Sequence, residues 1–189
     1  MNTQILITDS AGRPTDWVDY ETAACYYARD KVLWEVGEKI KTLWGGRNRI
    51  TGEQSCLDIS SIVGVSGPLL GDKFFTQTSI YTDRFILYAR DRYICGYCGD
   101  EFSHSKLTID HIVPRCRGGQ NHWTNTVTAC KPCNTRKGSK SLEQSKMKLL
   151  YVPYAPNVFE KMILRNRNIL ADQMDFLKAR VPKTSRIFN

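Results

Sequence analysis

The sequence predicts an α+β protein, and three observations predict it. Two C-x-x-C pairs, Cys95/Cys98 and Cys130/Cys133, bracket an insert patterned as strand, loop and strand, and a short helix follows the second pair. Residues 1–83 interleave short β-branched runs with one helical stretch. Residues beyond 157 carry an apolar stripe at helical spacing. The 189-residue chain thereby divides into an N-terminal α+β region (1–83), a cysteine module (84–156), and a C-terminal helix with a basic tail (157–189).

The elements follow in order. Ile5–Thr8 is a short apolar run ended by the turn-like Asp9–Pro14, and Trp17-Val18 pairs back as a second strand. Tyr20–Trp34 places Ala23, Ala24, Tyr27, Ala28, Lys31 and Val32 at near-helical spacing and reads as an amphipathic helix. Ile40–Trp44, Ile50-Thr51 and Leu57–Val65 read as β, the last rich in branched side chains. Gly64, Gly67, Pro68 and Gly71 make a loop. Thr82–Tyr93 is a helix with Phe85, Ile86, Tyr88 and Ala89 on one face and Arg84, Arg90 and Arg92 on the other. Lys106–Ile109 is a strand ending in Asp110-His111, Pro114–Gly119 a basic glycine loop, and Trp123–Ala129 a second strand. Pro132 opens a short helix bearing Asn134, Arg136 and Lys137, and Gly138 stops it. One helix runs from Asn157 to about Arg180, its stripe (Phe159, Met162, Ile163, Ile169, Leu170, Met174, Leu177) suited to packing on the body or to a homodimer seam. Lys183–Asn189 is the basic tail.

Composition narrows the function classes. Apolar residues make up 41%, enough for a core. No apolar run is long enough to span a bilayer, so no membrane role is expected. Met1–Ile7 lacks a basic segment followed by a long apolar one, which argues against an export signal. Seven cysteines in a reducing, cytoplasmic setting are more readily metal ligands than disulfides. The net charge of +8 is uneven: residues 1–83 carry −3, 84–140 carry +6, 141–160 carry 0 and 161–189 carry +5. A basic module beside an acidic region suits a polyanionic partner.

The two cysteine hooks are a four-thiolate set for one structural zinc, which would tie the ends of the insert together. Cys25, Cys56 and Cys116 have no partner spacing; the first two read as buried small hydrophobes and Cys116 as an exposed loop thiol. His104 and His122 are solvated loop residues. Within the hooks the runs L-T-I-D-H-I-V-P-R, G-G…W-x-N and C-N-T-R-K-G resemble the HNH endonuclease family, in its branch flanked by C-x-x-C pairs. More loosely, Ile5–Trp34, Arg90-Asp91 and the stretch from Ser141 to Pro156 resemble a bacterial subgroup with an N-terminal α+β region. The resemblance implies the ββα-metal (His-Me finger) fold. It implies His111 as the general base, Asn125 as the brace that orients it, and Asp110 with Asn134 as ligands of a catalytic divalent metal, Mg²⁺ or another. Arg115, Arg117, Arg136 and Lys137 are candidates for gripping DNA phosphates. The expected activity is metal-dependent hydrolysis of DNA phosphodiester bonds, in restriction, phage defence or another role. The rival is a catalytically silent zinc module that only binds nucleic acid.

Overall fold

Ile5, Leu6 and Ile7 are fully buried, and alternation along that strand sends them to opposite faces of one sheet. The structure is a computed structural model and describes residues 3–67, 84–166, 168–183 and 185–187. It separates into two units, Met1–Thr76 with Val158–Pro182, and Gln77–Asn157 with Lys183–Asn189.

In the first unit, β1 (Ile5–Thr8) lies between β2 (Pro14–Val18, antiparallel) and β4 (Gln54–Val65, parallel), and β3 (Val32–Arg47) pairs antiparallel with β4. The order is β2-β1-β4-β3. Ile5, Ile7, Ile59, Val63 and Val65 meet Ala23 and Tyr26 of α1 (Tyr20–Ala28) on one face. Leu6, Trp17 and Ile62 meet Met162 of α5 (Val158–Arg165) and Leu177 of α6 (Ala171–Lys178) on the other. Each fully buried Ile or Leu contributes about 1.5–3 kcal/mol, so the sheet is held from both sides. Asp19 starts α1 by accepting from the Thr22 N–H at 2.8 Å.

Four expectations in this unit are corrected. The helix expected to reach Trp34 stops at Ala28, because Asp30 adopts φ 55° and Lys31 N–H turns back to the Tyr26 carbonyl; Val32–Trp34 then open β3. Ile50-Thr51, read as β, is the turn of the β3–β4 ribbon: Asn48 Oδ1 accepts from both their N–H groups, and Ile50 is 95% exposed. The single helix expected over 157–180 is two, α5 and α6. Their stripe packs against the sheet, and Gln173 Nε2 donates to the Gln4 and Ser61 carbonyls at 2.8 Å each. Cys25 and Cys56 are exposed rather than buried, one on the outer side of α1 and one in the outlying ribbon. Pro68 and Gly71 of the expected loop, and Thr82-Asp83 of the next helix, lie outside the described residues.

The second unit begins with α2 (Arg84–Arg90). β5 (Leu107–His111) and β6 (Thr126–Cys130) pair antiparallel in a register that sets Asp110 opposite Val127 and His111 opposite Thr126. α3 (Lys131–Lys137) follows β6 directly, with proline in its first turn and Gly138 ending it at φ 56°. This is the strand–loop–strand–helix order expected of residues 106–138. An unforeseen helix, α4 (Leu142–Ser145), is started by a capping box between Ser141 and Gln144. The core joins Cys95, Tyr97, Val127, Ala129, Cys130, Cys133 and Met147.

Candidate active site

The Sγ atoms of Cys95, Cys98, Cys130 and Cys133 all lie within 4.8 Å of one another. Tetrahedral Zn–S bonds of about 2.3 Å need sulfurs roughly 3.8 Å apart, so four thiolates from two tight turns fit a zinc ion. The first hook is shaped by backbone hydrogen bonds: Gly99 N–H returns to the Cys95 carbonyl, and Gly96 N–H donates to the Thr128 carbonyl on β6. A side chain at Gly96 would meet Val127 Cγ2 at 2.5 Å, which keeps that position glycine. Burial, followed by the neighbouring thiols of Cys130 and Cys95, pushes the Cys133 thiol up to about 11. Burial opposes ionisation of Cys95 as well, but the N–H groups of Cys130, Cys98 and Tyr97 outweigh it and hold that thiol below its ordinary value. The bare cluster thus resists four negative charges, and taking up zinc must release protons.

Asp110 and His111 end β5 and leave it in different directions. Asp110 is buried. Its Oδ2 accepts from the Tyr97 hydroxyl, and its Oδ1 is 3.0 Å from Lys137 Nζ. Lys137 is itself fully buried and donates a second bond, of 2.6 Å, to the His111 carbonyl. Burial and the adjacent carboxylate raise Tyr97 far above the ordinary phenol value, so it stays protonated and donates. The His111 ring is half-buried, its Nε2 2.5 Å from Asn121 Oδ1. An amide oxygen only accepts, so Nε2 is the donor in this contact.

Asn125 sits where β6 begins and binds the loop after β5 at three points. Its Oδ1 accepts from Val113 N–H at 2.9 Å, and its Nδ2 donates to the Val113 and Gln120 carbonyls at 3.2 and 2.9 Å. It therefore braces the loop from which Asn121 reaches the imidazole, while Asn121 makes the direct contact. Gly119 permits that loop, since a Cβ there would lie 1.7 Å from the Val113 carbonyl oxygen. Asn134, on α3, donates through Nδ2 to Thr108 Oγ1 at 2.8 Å and more weakly to the Ile109 carbonyl at 3.4 Å. Nδ2 is thereby committed to β5, and its amide oxygen is the group available for a cation. One carboxylate and one amide oxygen are a hard donor pair, and each Asp110 oxygen keeps a lone pair beyond its hydrogen bond. The set fits a hard divalent cation in its chemistry, with Lys137 already supplying one positive charge to the same carboxylate.

Arg115, Arg117 and Arg136 are exposed, and Arg117 Nε donates to the Ser139 carbonyl at 3.1 Å. Lys137 differs from its expected role: its ammonium is enclosed by Asp110 and the His111 carbonyl and does not reach solvent. Arg90 also differs. It is 2% exposed, chelates Asp91 through Nε and Nη2 at 2.9 and 3.1 Å, and donates to the carbonyls of Trp123, Tyr154 and Thr126. Asp91 in turn accepts from Thr128 N–H on β6 at 2.9 Å. The Arg90-Asp91 dipeptide is thus a clamp that joins α2, β6 and the segment at Tyr154. His104, expected in solvent, stacks on Phe85 of α2 with centroids 4.4 Å apart. His122 is exposed and meets Gln120 Oε1 at 2.7 Å. Sequence reasoning missed Tyr97 and Asn121. The signals were present in the middle of the first hook and in G-G-Q-N-H-W, but neither names its partner.

Residues 95–150 match the family described as HNH endonuclease. A 46-residue stretch is 44% identical to the CRISPR-associated endonuclease Cas9 of Corynebacterium diphtheriae, covering 24% of this chain and 4% of that protein. The motif resemblance therefore holds over residues 95–150, the segment that is similar to HNH endonucleases, and the chain spans only a small part of the relative's length. No helix among the described residues is long and apolar enough to cross a membrane.

Proposed function

We propose that the chain is a metal-dependent nuclease that hydrolyses phosphodiester bonds of DNA at the end of β5. The observation that carries this is that Asp110 and His111 end one strand, β5, and that Asn134 of α3 is hydrogen-bonded to the same strand, inside the segment that matches the HNH endonuclease family. His111 takes a proton from the attacking water, and Asn121 holds the ring through Nε2. Asn125 keeps the loop that carries Asn121 in register with β5. Asp110 and the Asn134 amide oxygen would hold a divalent cation, which when bound stabilises charge on the phosphate and the leaving oxygen. Lys137 and Tyr97 fix the Asp110 carboxylate by its two oxygens. Arg115, Arg117 and Arg136 contact backbone phosphates, and zinc on the four cysteines holds the module together. Paired cysteines that hold a metal suit a reducing, cytoplasmic setting.

The binding-module reading draws on one observation, that Lys137 already neutralises Asp110. The two readings part on supercoiled plasmid. A nuclease converts it to nicked or linear DNA when Mg²⁺ or Mn²⁺ is added to the zinc-loaded protein, and not without added metal. A zinc-loaded, folded protein that binds the plasmid yet leaves it intact with every divalent metal favours the binding module.

A further inference from the structure

Next to the Tyr97 ring lies a cavity of about 380 Å³. Its wall carries Arg136 from α3 together with Lys146 and Lys148 from the segment after α4, over an apolar floor that includes Met147 and Leu150. No acidic residue lines it, and among the described residues none of the three cations has an ion-pair partner. Three unpaired cations on one concave surface repel one another, and an anion seated among them relieves that repulsion.

Two further observations point the same way. Lys146 closes α4 in the left-handed region, at φ 54°, where glycine ordinarily stands. A lysine held there at a conformational cost is a feature that function explains better than folding does. The cavity also lies one side chain away from the reaction site. Tyr97 lines it and donates its hydroxyl to Asp110, and Arg136 is two residues beyond Asn134 on the same helix.

We infer that Arg136, Lys146 and Lys148 form a phosphate-binding cavity that takes a backbone phosphate of the nucleic-acid strand whose cut site lies at His111. The inference rests on the nuclease reading for the strand's identity, and on the cavity itself for the anion. Arginine supplies a planar fork and the two lysines supply point charges, a combination suited to the non-bridging oxygens of a phosphodiester. The contact carries no sequence information. It sets the register of the strand against Asp110 and His111.

The test is a salt titration of binding to a fluorescein-labelled duplex, without added divalent metal, with plasmid cleavage assayed in parallel. Lys146→Gly suits the backbone better than lysine, so its melting temperature should equal or exceed that of the wild type. Its slope of log affinity against log salt should still be shallower by about 0.9, one released counterion. The variant combining Arg136→Ala, Lys146→Gly and Lys148→Ala should lose about 2.7 from the slope, three counterions. Lys106→Ala, an exposed lysine outside the cavity, sets the baseline for generic charge loss. A folded triple variant whose slope equals that of Lys106→Ala overturns the cavity, whether or not the wild type cuts. A wild type that binds with the expected slope dependence on these residues but never cuts upholds the cavity and counts against the nuclease reading alone. A wild type that does not bind DNA removes both.

Discussion

Arg90–Asp91 and Lys137–Asp110 are both buried cation–carboxylate pairs in the same unit, and they are completed in different ways. Arg90 commits its guanidinium to Asp91 and three backbone carbonyls, and Asp91 adds a β6 N–H, so the charges are answered by fixed main-chain groups from three segments. The Lys137–Asp110 pair rests on one hydroxyl and one carbonyl, and its carboxylate adjoins His111 and faces α3. Arginine's rigid fork suits the first task and a compact ammonium the second. Similar burial thus serves two ends. One pair staples loops, and the other fixes a carboxylate by both its oxygens beside His111.

The largest effect should come from breaking the staple. Removing one partner of a buried pair costs about 3–5 kcal/mol, and Arg90→Ala also strands three carbonyls. Urea unfolding of this variant should show the second unit lost or severely weakened, and Arg90→Lys should recover little because lysine cannot reach the same set of acceptors. A wild-type midpoint for Arg90→Ala would erase the distinction drawn above. Lys137→Met should cost less, toward the lower end of that range at about 3 kcal/mol, because Asp110 can be answered from elsewhere. Mg²⁺ should raise the melting temperature of Lys137→Met more than that of the wild type. Equal response to Mg²⁺ would mean that added cations do not reach Asp110. The smallest structural effect belongs to Asn121→Ala, which removes a half-buried partner of the imidazole. Stability should change by less than about 1 kcal/mol, while cleavage should fall by about 10- to 100-fold through loss of ring orientation, on the scale of other outer-shell contacts. Cleavage at the wild-type rate would return the orienting role to Asn125 alone.

Much of the second unit was legible because its signals are local. The two hooks, the Asp110-His111 strand end and Pro132 in the first turn of a short helix each speak within a few residues. The first unit was legible chiefly where the chain is buried, the exception being Ile40–Trp44, which was read as β and lies within the largely exposed β3. Ile5–Thr8 and the end of β4 showed their apolar pattern, but most of the β3–β4 ribbon is exposed and has no face to mark, with Trp44 at 67% exposure. The end of α1 depended on Asp30 entering a left-handed conformation, which no propensity signals for aspartate in a helical pattern. The burial of Arg90 and Lys137 was illegible for a different reason. A charge on an amphipathic helix reads as solvated unless its partner is known, and here the partners come from other segments: carbonyls at Trp123 and Tyr154, and a strand end 27 residues upstream of Lys137. The helix at α4 could have been found from Ser141-x-x-Gln144, which is a capping-box signature.

The central claim is that the end of β5 is a catalytic site rather than a binding surface, and His111→Ala tests it most directly. Zinc content, melting temperature and salt-dependent DNA affinity should be measured on the same preparation as plasmid cleavage. The hooks, the Lys137–Asp110 pair and the exposed arginines do not depend on the imidazole. Those three properties should therefore match the wild type while cleavage falls by about 10² to 10⁴, the range for loss of a general base. A folded, zinc-loaded His111→Ala protein that cuts plasmid at the wild-type rate would contradict the account.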